Sequence, residues 1–284
     1  MRVHQEHGVP VTVVCEVLDL PRSTYYRHAE KGDERAVQAA LVSVAGDHVT
    51  YGSRRLAREL RRAPFAMTVN RKRVQRLMRE LGLQARRSRR SRTTTTSPSG
   101  QRPYPNLVQG MVIDRPDQVW VADITYVMLA QDAVYLAILM DVFTRAIRGW
   151  DLRRTLDHHL TLSALDDALE QHVPEIHHSD QGVQYIAGPY VQRLSARKVR
   201  ISMADTGQPT QNGYAERVIR TIKEEEVYLA EYRTFADAYT QIRHFVEDVY
   251  QTKRIHSALG YLTPSEFEAA WLFDPANTSP LTMR

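Results

Sequence analysis

A chain of 284 residues, 43% hydrophobic and 25% charged, holds enough apolar material for one sizeable core and one or two smaller modules. It has no run near the ~18 apolar residues of a membrane span, no apolar stretch behind Met1 of the signal-peptide kind, and one cysteine, so intrachain disulfides are excluded and a cytoplasmic, membrane-free protein is expected. The net charge of +5 is unevenly spread: residues 1–105 carry 21 Lys and Arg against 9 Asp and Glu, and the remainder 17 against 24, so a basic arm precedes an acidic body and a polyanion is the expected partner.

Two short helices are predicted over 9–18 and 22–29, separated by Asp19-Leu20-Pro21, with Cys15 as a small buried thiol in the first. This is helix-turn-helix spacing, and residues 1–32 are assigned to such a module. Pro21 suits the first turn of the second helix, which would present Arg22, Ser23, Tyr25, Tyr26 and Arg27 to a major groove.

A second helical module, 33–83, holds helices over 53–62 and 70–82. Val74, Leu77, Met78 and Leu81 recur at three and four residues and form one apolar stripe; Asn70 is a suitable N-cap and Gly82 a suitable stop. Arg54, Arg55, Arg71, Lys72, Arg73 and Arg76 crowd the other faces, where like charges repel unless phosphates neutralise them. Residues 84–105 lack apolar periodicity and read as a flexible basic linker.

The body, 106–272, begins with strand patterns at 119–128, 134–144 and 146–152, close enough together for an antiparallel meander. A helix at 157–172, a strand at 175–178, a helix at 189–197 and a strand at 199–203 follow, then helices at 212–229 and 234–250. Such alternation implies an α/β class with a mixed sheet covered on both faces, and 273–284 is left as a tail.

Within that body Asp123 interrupts an otherwise apolar strand, where an unpaired carboxylate would cost several kcal/mol without a compensating cation or donor. Asp180 ends a strand, and Glu216 lies on a helix behind the stretch Thr206 to Gly213. Three acids from two strands and a helix can meet in one pocket, and an all-oxygen donor set selects Mg²⁺ or Mn²⁺ over zinc.

The segments Trp120-Val121-Ala122-Asp123-Ile124-Thr125-Tyr126, His178-Ser179-Asp180-Gln181-Gly182-Val183-Gln184-Tyr185 and Asn212-Gly213-Tyr214-Ala215-Glu216-Arg217 resemble the three catalytic motifs of integrase-core transposases. Thirty-five residues separate Asp180 from Glu216, as that family's triad requires. Tyr51-Gly52-Ser53-Arg54-Arg55, the segment 69–78 and the stretch from Tyr250 to Tyr261 with Thr263-Pro264 are similar to further signatures of second-frame proteins of the bacterial insertion sequence three family.

The resemblance implies an RNase H-like integrase core with a mixed five-stranded sheet. Asp123, Asp180 and Glu216 would be both catalytic and metal-binding, holding two Mg²⁺ or Mn²⁺ ions. It implies cleavage and strand transfer on double-stranded DNA, at terminal inverted repeats and target sites, by a homo-oligomer that acts alone or with an upstream-frame partner. Lys223 and Arg254 are expected on DNA, with His178, Asn212 and His256 in support. Gln251 stands where Asn is usual, and the segment 204–211 replaces a more basic loop, with Asp205 adding negative charge. A transposase-derived repressor and a nuclease on the same fold are the alternative readings.

Overall fold

The computed structural model describes residues 10–22, 34–86, 104–277 and 280–283, and the chain divides into two units, Met1–Ala85 and Arg86–Arg284. In the first unit α1 (Val11–Val17) buries Cys15. The expected helix at 22–29, with Ser23, Tyr25, Tyr26 and Arg27, lies outside the described residues, as does most of the 84–105 linker; Arg22 is exposed.

Three helices, α2 (Arg35–Asp47), α3 (Ser53–Glu59) and α4 (Arg71–Glu80), pack together through Ala40, Leu41, Val44, Leu56, Leu60, Val74 and Leu77, all buried. The Asn70 side chain caps α4 by accepting from the Lys72 N–H at 2.8 Å, and Gly82 takes φ +67° just beyond its end, a backbone state that a Cβ would strain. Helix α2 is an addition to the predicted elements.

In the second unit five strands form one sheet in the order β4-β3-β2-β5-β6. Strands β2 (Val119–Met128), β3 (Ala133–Asp141) and β4 (Ile147–Arg153) make the expected antiparallel meander, while β5 (Ile176–Ser179) and β6 (Arg200–Met203) add in parallel. A two-residue β1 (Val112–Ile113) stands apart from this sheet.

Alternation along the strands sends Trp120, Ala122, Ala137 and Leu139 to one face, covered by α5 (His158–Gln171) and α6 (Gly188–Ala196). It sends Val119, Val121, Leu136, Ile138 and Met140 to the other, covered by α7 (Gly213–Ile222), α8 (Phe235–His244) and their π-helical continuations. Each Val, Leu, Ile or Met among them taken fully out of water contributes about 1.5–3 kcal/mol. Helix α5 lies so close on β4 that a Cβ at Gly149 would run into the Ala164 carbonyl.

Two elements go beyond the sequence reading. Helix α9 (Pro264–Phe273) starts at a capping box, Thr263 accepting from the Glu266 N–H while Glu266 accepts from that of Thr263. Part of the stretch assigned as a tail belongs to the core: β7 (Leu281–Thr282) pairs antiparallel with β1, and Met283 is buried because its side chain completes the cluster under the sheet. No helix among the described residues is long and apolar enough to cross a membrane.

Candidate active site

The ladder between β2 and β5 runs from Val119 opposite Ile176 to Ala122 opposite Ser179. One residue further on, Asp123 and Asp180 stand abreast, and in a parallel pair residues abreast share a face. That face is the one against which α7 packs, with Glu216 in its first turn. The start of α7 is tied to the same point: the buried Asn212 amide donates to the Ala122 carbonyl at 3.0 Å.

The electrostatics register this convergence. The Asp123 carboxyl is pushed up to about 7, first by burial, then by the charge of Asp180 and more weakly by that of Glu216. The Ile124 N–H, donating at 2.8 Å, and Lys223 pull it down without offsetting the rest. Burial also raises Asp180, against a 2.9 Å bond from the Gly182 N–H. Asn212 Oδ1 is a buried acceptor with no hydrogen-bond partner among the described residues. Oxygen donors that repel one another, beside an unused acceptor, suit a hard hydrated cation.

Lys223, two helical turns beyond Glu216, is partly buried; burial lowers its ammonium while Asp123 opposes the shift. Its Nζ lies 4.5 Å from the centre of the Tyr126 ring.

His178 is a brace. The Leu107 N–H donates to Ser202 Oγ at 2.9 Å, Ser202 lies 2.8 Å from His178 Nδ1, and His178 Nε2 lies 3.2 Å from the Gln211 carbonyl. A carbonyl only accepts, so Nε2 carries the proton and Nδ1 takes that of Ser202. Burial holds this imidazole neutral, down to about 4.

Gln211 in turn clasps the loop before α7. Its Oε1 accepts from Asn106 Nδ2 at 3.0 Å and from the Asp205 N–H at 2.6 Å, and its Nε2 donates to the Asp205 carboxylate at 2.9 Å. Asp205, the acid in a loop that is usually more basic, is thus engaged in folding that loop. Gln211, Ser202 and Asn106 escaped the sequence reading, because nothing local marks a partner up to 105 residues away.

Other expected contacts fall differently. Arg254 is 5% exposed and grips both Glu225 oxygens at 2.7 Å, so it braces the fold and is corrected from a DNA-facing residue. His256 packs edge-on against Tyr250, and its N–H donates to the Leu262 carbonyl.

In the first unit Arg54, Arg71 and Lys72 are exposed. Arg55 lies over the Tyr51 ring, whereas Arg73 and Arg76 pair with Glu34, and Arg76 also with Glu80. Part of the basic run is therefore neutralised within the protein.

Away from these three acids, Asp117, His172 and Glu268 bring donor atoms within 4.8 Å of one another. The cation there is Arg148, whose guanidinium meets Asp117 at 2.8 Å and Glu268 at 2.5 Å and is 5% exposed. The cluster clamps α9 and β4 to the start of β2, at the other end of that strand from Met128.

Residues 113–209 and 197–264 each match an integrase core domain, and 31–91 an HTH-like domain. An uncharacterized 31 kDa protein of insertion element IS600 from Shigella sonnei is 34% identical, covering 89% of this chain and 97% of its own length. The transposase for insertion sequence element IS904 from Lactococcus lactis is 33% identical, with 77% and 87% covered. Transposase InsF for insertion sequence IS3A from Escherichia coli is 27% identical, with 91% and 93% covered.

Proposed function

The chain belongs to the insertion-sequence transposases built on an integrase core, and from that premise we propose that Asp123, Asp180 and Glu216 are its catalytic carboxylates. The protein is a DNA transposase, a polynucleotidyl transferase. The observation that carries the assignment of its site is the register setting Asp180 abreast of Asp123 under α7, with the Asp123 carboxyl raised by burial first and then by the charges of the other two acids.

The three carboxylates would hold two Mg²⁺ or Mn²⁺ ions. Bound there, such a pair supplies activation of an attacking oxygen and charge neutralisation at the leaving oxygen of a phosphodiester. The residues of the chain do the rest. Asp123 would hold the ions as its carboxylate, its proton passing to solvent, and Lys223 would meet a phosphate beside the carboxylates. His178 and Gln211 fix the start of α7, so that Glu216 keeps its place without reorganising. Water cleaves one P–O bond at an element end, and the freed 3′-hydroxyl then forms a new P–O bond as it breaks another. No covalent enzyme intermediate is needed.

Its substrates would be double-stranded DNA, namely terminal inverted repeats and a target site. Its working form would be a homo-oligomer on that DNA in the bacterial cytoplasm, alone or with an upstream-frame partner. Exposed Arg54, Arg71 and Lys72 would hold phosphates. A labelled duplex bearing the element's terminal repeats, incubated with protein and Mn²⁺, should yield joined strands with the wild type and none with Asp180→Asn. Cleavage without joining would point to a nuclease, and equal joining by both proteins would sink the assignment.

A further inference from the structure

Strand β2 outruns its parallel neighbour. The ladder to β5 stops at Ala122 and Ser179, but β2 continues to Met128, so residues 124–128 project past the carboxylates. On this projection Tyr126 is 39% and Met128 60% exposed. Lys223 lays its ammonium over the Tyr126 ring while sensing the charge of Asp123, so ring and carboxylates lie within the reach of one lysine. A second exposed ring, Tyr228, is tied to the same lysine: its backbone N–H donates to the Lys223 carbonyl at 2.8 Å, and burial and then the Tyr126 phenol raise its hydroxyl above the usual tyrosine range.

An exposed apolar side chain standing singly needs no explanation. Here two exposed tyrosines adjoin one cation at the edge of the acidic site, and Met128 follows Tyr126 two residues on along the same strand. A ligand that matches both a π-face and a positive charge beside metal-binding carboxylates is a nucleotide. Bases inside a duplex have both faces covered, so the match is to a base that has left its pair.

We propose that Tyr126, flanked by Tyr228, is the seat on which an unpaired nucleotide at the DNA end stacks while its phosphate is drawn to Lys223. A cation–π contact at a partly exposed site is weaker than a charge-assisted bond to phosphate. Lys223 therefore leaves the ring when a phosphate arrives, and the ring face becomes available to the base. The inference rests on the catalytic reading of the adjoining carboxylates and adds a binding residue to it.

The test uses the full-length protein in Ca²⁺, so that binding is read apart from turnover. One probe duplex carries 2-aminopurine as an unpaired end nucleotide, and a second is blunt and fully paired. The wild type and Tyr126→Phe should quench the unpaired probe. Tyr126→Ala and Tyr126→Leu, the latter keeping apolar bulk, should not, and should bind that probe roughly five- to a hundredfold more weakly. Binding of the blunt duplex should be unchanged.

Equal quenching by Tyr126→Ala, or an equal loss on both duplexes, would overturn the seat. Asp180→Asn separates the two readings. It should still quench while joining nothing; if it joins strands like the wild type, the catalytic assignment fails and the stacking result stands on its own.

Discussion

Asp123 is a buried acid that the fold alone does not compensate, and its replacement by Asn should therefore stabilise the metal-free protein. The carboxyl rises from 3.8 to about 7 on folding. A raised carboxyl favours the neutral form in the native state, so the group costs least below 3.8, and stability is lost as pH climbs from there through about 7. At ~1.36 kcal/mol per pH unit the cost is about 2 kcal/mol near pH 5 and about 4 kcal/mol near pH 8. Asn has the same shape, carries no charge, and keeps an oxygen for the 2.8 Å bond from the Ile124 N–H. Thermal melting in chelator should place Asp123→Asn about 10 °C above the wild type near pH 8, with about half that gap near pH 5. Mg²⁺ should raise the wild type and leave the variant nearly unmoved. A variant less stable near pH 8, a gap independent of pH, or equal stabilisation of both proteins by Mg²⁺ would refute the argument.

Three other outcomes are expected. His178→Ala removes the brace on the Gln211 carbonyl and should cut single-turnover strand cleavage by roughly a hundredfold, with DNA affinity retained; an unchanged rate would show that α7 holds itself. Arg254→Ala strands Glu225 in a site where that side chain is only 12% exposed, and should cost about 3–5 kcal/mol in denaturant unfolding without altering the salt dependence of DNA binding; an unmoved midpoint would count against it. Arg71→Ala should reduce the slope of log affinity against log salt by ~0.9 for a single phosphate contact, and Arg76→Ala by less, because Glu34 and Glu80 already neutralise it; the reverse order would overturn the pairing argument.

The parts of this fold legible in the sequence are those governed by neighbours in the chain. Runs rich in β-branched and aromatic residues marked β2, β3 and β4, and the Asn70 and Gly82 signals marked the ends of α4, because strand preference and cap are local effects. Two local signals were also present yet carried no assignment: Val37, Ala40, Leu41 and Val44 at helical spacing in α2, and the Thr263-Pro264-Ser265-Glu266 capping box of α9.

The candidate site was legible as three acids with their flanking residues, but the His178–Gln211 brace behind it was not, and neither were the long-range clamps of the fold around it. Arg148 meets Glu268 across 120 positions, Arg254 meets Glu225 across 29, and β1 meets β7 from opposite ends of the unit. Such pairings are fixed by tertiary packing, and no periodicity encodes them. The basic run of α4 misleads for the same reason, since its neutralising Glu34 lies 42 positions from Arg76.

The Gln211 clasp separates two jobs that one loop would otherwise have to share. Asp205 and Gln211 hold the turn closed from within, while Gln208 and Thr210 between them are exposed. Substitutions at those two positions can alter what the rim presents to its surroundings while the anchor of α7 stays where it is. The rim can be rewritten in charge and size without reopening the question of where Glu216 stands.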